Sequence, residues 1–288
     1  MKKKTKKNSF TRVFIVLVIL ILGAVAFFVV NSRSFQSINI TQSIKGTGYK
    51  FNWDETSKTA TVSKNGSQIT SFSLTEKPLD VYLYIPRNIF AVITRDKDSL
   101  EHLYIYNDNK LTKLRSAQKE TVPGVENLST SFADIEFSPD GNYLTSHESG
   151  YEWGASQLFS TKELAEEKIS KENPYLLGWN FFWQPQSLCF LNTNSGGMDE
   201  PSLKLFQINN GVLQMTKMNN DISYLDQEIS VWWNNDCSGV IRLENEKGTK
   251  SFYKFDSQGG KLQSTNKSSI NKLQKSSNIN QEHIYSQK

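Results

Sequence analysis

Three histidines (102, 147 and 283) and two cysteines (189 and 237) are the first residues to weigh for chemistry. A zinc site needs such ligands at short spacings, as in Cys-x-x-Cys or His-Glu-x-x-His, and the chain has neither. We expect neither metal nor cofactor. His147-Glu148 could form half of a catalytic pair, but a polar strand-end histidine is the commoner use of such a residue. Asp96-Lys97-Asp98 alternates carboxylates in a loop without the glycine and closing glutamate of a calcium loop, so we read a solvated turn. Tyr151-Glu152-Trp153-Gly154 sets aromatic rings beside a carboxylate where core packing is not expected. Ser195-Gly196-Gly197-Met198-Asp199-Glu200 occupies the equivalent loop one unit later. Together these loops nominate Tyr151, Trp153, Glu148, Asp199, Glu200, Asp96 and Asp98 as a ligand-binding rim for a protein, peptide or glycan. The alternative chemistry is hydrolysis or lysis by the rim carboxylates Glu148, Asp199 and Glu200.

Such a rim exists only if a frame brings its loops together, and the frame is legible as a repeat. Asp134–Thr145 reads as strand, tight turn, strand: Ile135 and Phe137 alternate with polar neighbours, and Ser138-Pro139-Asp140-Gly141 supplies turn chemistry position by position. Weaker copies centre on Pro86, Pro185 and Asp236, at spacings of 53, 46 and 51 residues. Each copy is followed by a second hairpin, turning at Asp108-Asn109, Asn209-Asn210-Gly211 or Ser257–Gly260, and an earlier one turns at Asn65-Gly66. Five units between residues 35 and 264 follow. A period near fifty predicts an all-β, β-propeller fold of five four-stranded blades. Trp179, Phe181, Phe182, Trp183, Trp232 and Trp233 lie on first strands and are assigned to packing between blades. Asn52–Thr59 also resembles a first turn, in a different phase, and Ser160–Lys168 reads as a short capped helix.

Phe137–Leu144 resembles the Phe/Trp-Ser-Pro-Asp-Gly-Lys-x-Leu core of the WD40-like propeller repeat of the TolB family and of prolyl oligopeptidases. Trp233–Ile241 is a looser variant, and the copies at Pro86 and Pro185 keep only the proline. The resemblance implies blades of four antiparallel strands around an axis, with partners meeting the loops between second and third strands. An oligopeptidase activity is not implied, because the chain lacks that hydrolase domain and any Gly-x-Ser-x-Gly.

Location is carried by the N-terminus. Val13–Val30 is unbroken apolar sequence, and at 1.5 Å per residue a helix there spans about 27 Å, a bilayer core. Residues 1–12 hold six basic side chains and no acid, which orients the N-terminus inward and all that follows outward. We expect an uncleaved anchor; cleavage after Ala24-Val25-Ala26 is the alternative. A sensor whose basic end touches acidic lipid is a third reading. The net charge is +4, yet setting aside those six residues, the four lysines after Thr265 and Glu282 leaves 23 of 33 basic and 28 of 29 acidic residues. The folded part is therefore mildly acidic, which argues against nucleic acid. Cys189 lies in an apolar strand and Cys237 beside a turn; one disulfide is possible and is left open. The expected organisation is a basic cytoplasmic segment 1–12, a transmembrane helix 13–30, a stalk or opening strand 31–48, a propeller domain 49–264, and a polar, disordered tail 265–288 whose Ile284-Tyr285 could instead pair with an edge strand.

Overall fold

The computed structural model describes residues 39–42, 48–122, 125–151, 154–166, 180–194, 202–209, 212–219, 227–276 and 281–287. The apolar run at 13–30 lies outside them. Among the described residues no helix is long and apolar enough to cross a membrane.

All regular structure here is β apart from two 3-10 turns. Five antiparallel four-stranded meanders follow one another along the chain. The first is β1 (Asn39–Gln42), β2 (Tyr49–Asp54), β3 (Thr59–Lys64) and β4 (Ser67–Ser73); the second is β5 (Lys77–Tyr84), β6 (Ile89–Arg95), β7 (Glu101–Asn107) and β8 (Lys110–Ser116). A side hairpin, β9 (Lys119–Val122) and β10 (Val125–Ser129), precedes the third meander, β11 (Ser131–Phe137), β12 (Tyr143–Ser149), β13 (Gly154–Ser160) and β14 (Ala165–Glu166). The fourth is β15 (Asn180–Trp183), β16 (Cys189–Asn194), β17 (Ser202–Asn209) and β18 (Val212–Asn219). The fifth is β19 (Glu228–Trp233), β20 (Gly239–Glu244), β21 (Lys250–Asp256) and β22 (Gly259–Thr265). Two tail strands complete the fold, β23 (Gln274–Lys275) and β24 (Gln281–Ser286).

The predicted turn chemistry forms between the first and second strands. In the third unit Gly141 N–H donates to Ser138 O at 2.9 Å, Ser138 Oγ to Asp140 Oδ1 at 2.6 Å, and Asn142 N–H to the same oxygen at 2.9 Å. Gly141 sits at φ +70°, and a Cβ there would strike the Tyr84 ring of the preceding unit. Tyr84 Oη donates to Pro139 O at 2.6 Å, so this turn needs glycine both for its dihedral and for its neighbour. Asn88 (φ 50°) and Cys237 (φ 67°) hold the corresponding left-handed position in the second and fifth units. Asp236 therefore matches Asp140, one position later than the alignment on Pro139 assumed. Asn52–Thr59 is the turn between β2 and β3 of the first unit, a second-to-third-strand turn.

Equivalent contacts recur from unit to unit. Gln184 Nε2 donates to Asn234 O and Gln207 Nε2 to Ser257 O, each fifty residues on; Asn107 Nδ2 donates to Thr161 O fifty-four on. Apolar clusters fill the spaces between units one and two, two and three, three and four, and four and five. Cys189 and Cys237 form a disulfide across the last of these, with Cα atoms 5.9 Å apart. β18 and β22 also pair across it, in parallel. Among the described residues no apolar cluster joins unit five to unit one.

The tail does that work, and here the expectation of disorder is corrected. β23 pairs with β19 of unit five. Ser276 Oγ donates to Trp183 O of unit four. Gln281 accepts from Phe137 N–H and donates to Ile135 O of unit three, both at 2.7 Å. β24 pairs antiparallel with β5 of unit two, and the Tyr285 ring lies 5.0 Å from Phe51 of unit one. One segment thus meets early strands of all five units, which is the geometry of a propeller-like arrangement around a common centre. Composition misjudged the tail because two of its few apolar residues, Ile284 and Tyr285, are fully buried and its backbone pairs with the edges of β19 and β5.

The helix expected over Ser160–Lys168 is also corrected. The capping contact exists, Glu163 N–H donating to Ser160 Oγ at 2.9 Å, but the chain makes one turn and enters β14.

Candidate functional site

The residues nominated for the rim have different fates. Glu148, at the end of β12, is fully buried. Its carboxylate accepts from Arg115 Nε at 2.6 Å, Thr130 Oγ1 at 2.5 Å and Gln157 Nε2 at 3.2 Å. It is an internal strut between units two and three and presents nothing to a ligand. Asp96 Oδ1 accepts the backbone N–H groups of Asp98 and Leu100, each at 2.9 Å, and Oδ2 lies 3.2 Å from His102 Nε2. The Leu100 N–H, first among these bonds, lowers its pKa. Asp98 is exposed in the same turn. Tyr151 is 56% exposed, its N–H held by Glu120 Oε2 at 2.9 Å. Trp153, Asp199 and Glu200 lie outside the described residues. His147 is buried, its Nδ1 2.9 Å from Ser156 Oγ, and desolvation lowers its pKa.

A second location was not nominated from sequence. Beside the tail, where the first strands converge, a cavity of about 380 Å³ is bounded by Tyr82 of β5, Asp134 and Glu136 of β11, Phe181 of β15, and Gln281 and His283 of the tail. A second cavity of about 310 Å³ shares Glu136 and Phe181 with it and reaches Trp183, Ser230 and Lys275. Both lie in the size range of ligand sites.

Local chain geometry builds the acidic wall. β11 carries a bulge between Ala133 and Glu136, with Asp134 at φ 50°. The extra residue lets Phe132, Ile135 and Phe137 all enter the core and leaves Asp134 and Glu136 outside it. Glu136 is half-buried, and its side chain lines both cavities. Desolvation first, and the Asp134 charge second, push its pKa up to about 7. None of the described residues gives this carboxylate a hydrogen bond.

The opposite wall is already paired. His283 Nε2 lies 3.0 Å from Asp80 Oδ1, and its ring stacks on Tyr82 at 4.3 Å. Burial raises the Tyr82 pKa well above its ordinary value. No group of three His, Cys, Asp or Glu side chains gathers as a metal site among the described residues. The bulge and the tail's return have no strong sequence signal; an acidic pair at i and i+2 within a first strand is the only trace.

No family profile and no curated protein matches this chain. Several solved structures are similar to it in outline. The Dos1 propeller has 12% identity and a TM-score of 0.41, over 78% of this chain and 57% of that one. Prolyl oligopeptidase B from Galerina marginata has 9% identity and a TM-score of 0.46, over 80% of this chain and 34% of that one. A putative TolB from Agrobacterium tumefaciens has 10% identity and a TM-score of 0.36, over 78% and 79%. The chain thus spans just over half of the first of these and a third of the second. The propeller-like reading stands on the repeated meanders and their common centre.

Proposed function

We propose that this chain is a membrane-anchored binding or scaffolding module: a five-bladed propeller held outside the cytoplasm by residues 13–30, taking a protein, peptide or glycan of the cell envelope. The observation that carries the reading is the convergence of five units on one segment beside a pair of cavities, a rigid frame with an open interior surface. The apolar N-terminal run after a basic segment supports the anchor. The use of both cysteines in one disulfide supports an oxidising compartment. Binding is favoured over the hydrolase reading because Glu148, one of its three carboxylates, is sealed against Arg115. The test is capture in whole cells: the full chain with a membrane-impermeant cross-linker should yield a specific envelope partner and react only from outside. Labelling solely from the cytoplasmic side would overturn the location, and turnover of cell-wall material by the purified chain would overturn the binding role.

A further inference from the structure

We propose that the double cavity around Glu136 binds an organic cation, an ammonium or guanidinium group on a ligand small enough for a space of about 380 Å³. This deepens the binding-module reading and rests on it for its biological sense. A half-buried carboxylate that lines a cavity and takes no hydrogen bond from the described residues is poorly compensated, and a donor that also carries positive charge is its natural partner. Asp134 adds a second carboxylate on the same strand. Phe181, Phe182 and Tyr82 supply aromatic walls, the surfaces over which organic cations settle.

No basic group of the described residues bonds the Glu136 carboxylate, although Lys275 lines the second cavity with it. His283 is held by Asp80, and Lys275 is exposed and lies 5.9 Å from the Trp232 ring centre. Glu228, from the fifth unit, is paired with Arg242 at 2.9 Å. Asp134, Tyr82, His283, Lys275 and Glu228 are thus the titratable neighbours around Glu136, and none hydrogen-bonds it. A bare metal ion fits poorly, since the carboxylates and imidazole do not converge. The cation must be met by an ionised Glu136, so its affinity rises with pH around 7.

The test is calorimetric titration of the full chain in nanodiscs with agmatine and cadaverine, with N,N′-diacetylcadaverine as the neutral control. Both cations should bind at pH 8 about tenfold tighter than at pH 6, following the ionised fraction of a group titrating near 7. Glu136→Gln should lose at least tenfold at pH 8 and show no pH dependence, with its melting temperature unchanged or raised. Asp134→Asn, an exposed change that leaves the fold alone, should weaken both cations severalfold. Absence of cation binding at millimolar concentration, equal binding of the neutral control, or unchanged affinity in both variants would overturn the proposal. A chain that captures an envelope partner yet binds neither probe sinks this inference and spares the module; one that binds the probes and captures nothing supports this inference and leaves the module in doubt.

Discussion

Glu136 and Glu148 lie on adjacent strands of the same unit and have opposite surroundings. Glu148 is sealed between two units with an arginine, a threonine and a glutamine on its oxygens. Glu136 faces the centre with no donor among the described residues and a raised pKa. The difference teaches that burial alone says little about function. A buried carboxylate with full hydrogen bonding is structure, whereas one that lines a cavity under-compensated has binding capacity in reserve.

The comparison can be broken at its structural end first. Arg115→Met strands a buried charge and should cost about 3–4 kcal/mol by chemical denaturation at pH 7. Adding Glu148→Gln to Arg115→Met should recover part of the loss in the same denaturation measurement; a double variant no more stable than the single one would mean that the pair is not the cause. Next, Tyr285→Ala should cost about 3 kcal/mol, because a fully buried ring against Phe51 is lost. It should also weaken cation binding at the Glu136 cavity, whose wall the tail completes, and leave the Glu148 contacts intact.

At the other end, Glu136→Gln should stabilise the protein at pH 8. The folded pKa, about 7, lies above the ordinary 4.5, so the wild type loses stability as pH rises between these values. The variant should gain about 2 kcal/mol above pH 7 and nothing at pH 4, measured as parallel denaturation curves. The smallest effect is expected for Asp134→Asn, which removes the secondary cause and should move the Glu136 titration midpoint downward in an NMR titration. A midpoint that stays put would assign the shift to burial alone.

Much of the frame was legible. Ser138-Pro139-Asp140-Gly141 specified its turn through local bonds, and Asn65-Gly66 and Asp108-Asn109 did so through left-handed residues. The centre was not. The 3.0 Å contact between His283 and Asp80 spans 203 residues, and the Gln281 contact with Ile135 spans 146. Glu148 was nominated for the rim because its partner Arg115 stands 33 residues away on another unit.

The sequence by itself determined the β class, the five-fold repetition and the turns, because period-2 patterning and turn residues act between neighbours in the chain. Tertiary structure alone decided which carboxylate is sealed and which is open, that the tail crosses the centre, and that Cys189 meets Cys237. Those outcomes depend on which strand edges and charges remain unpaired once the five units are packed, a balance struck between segments far apart in sequence.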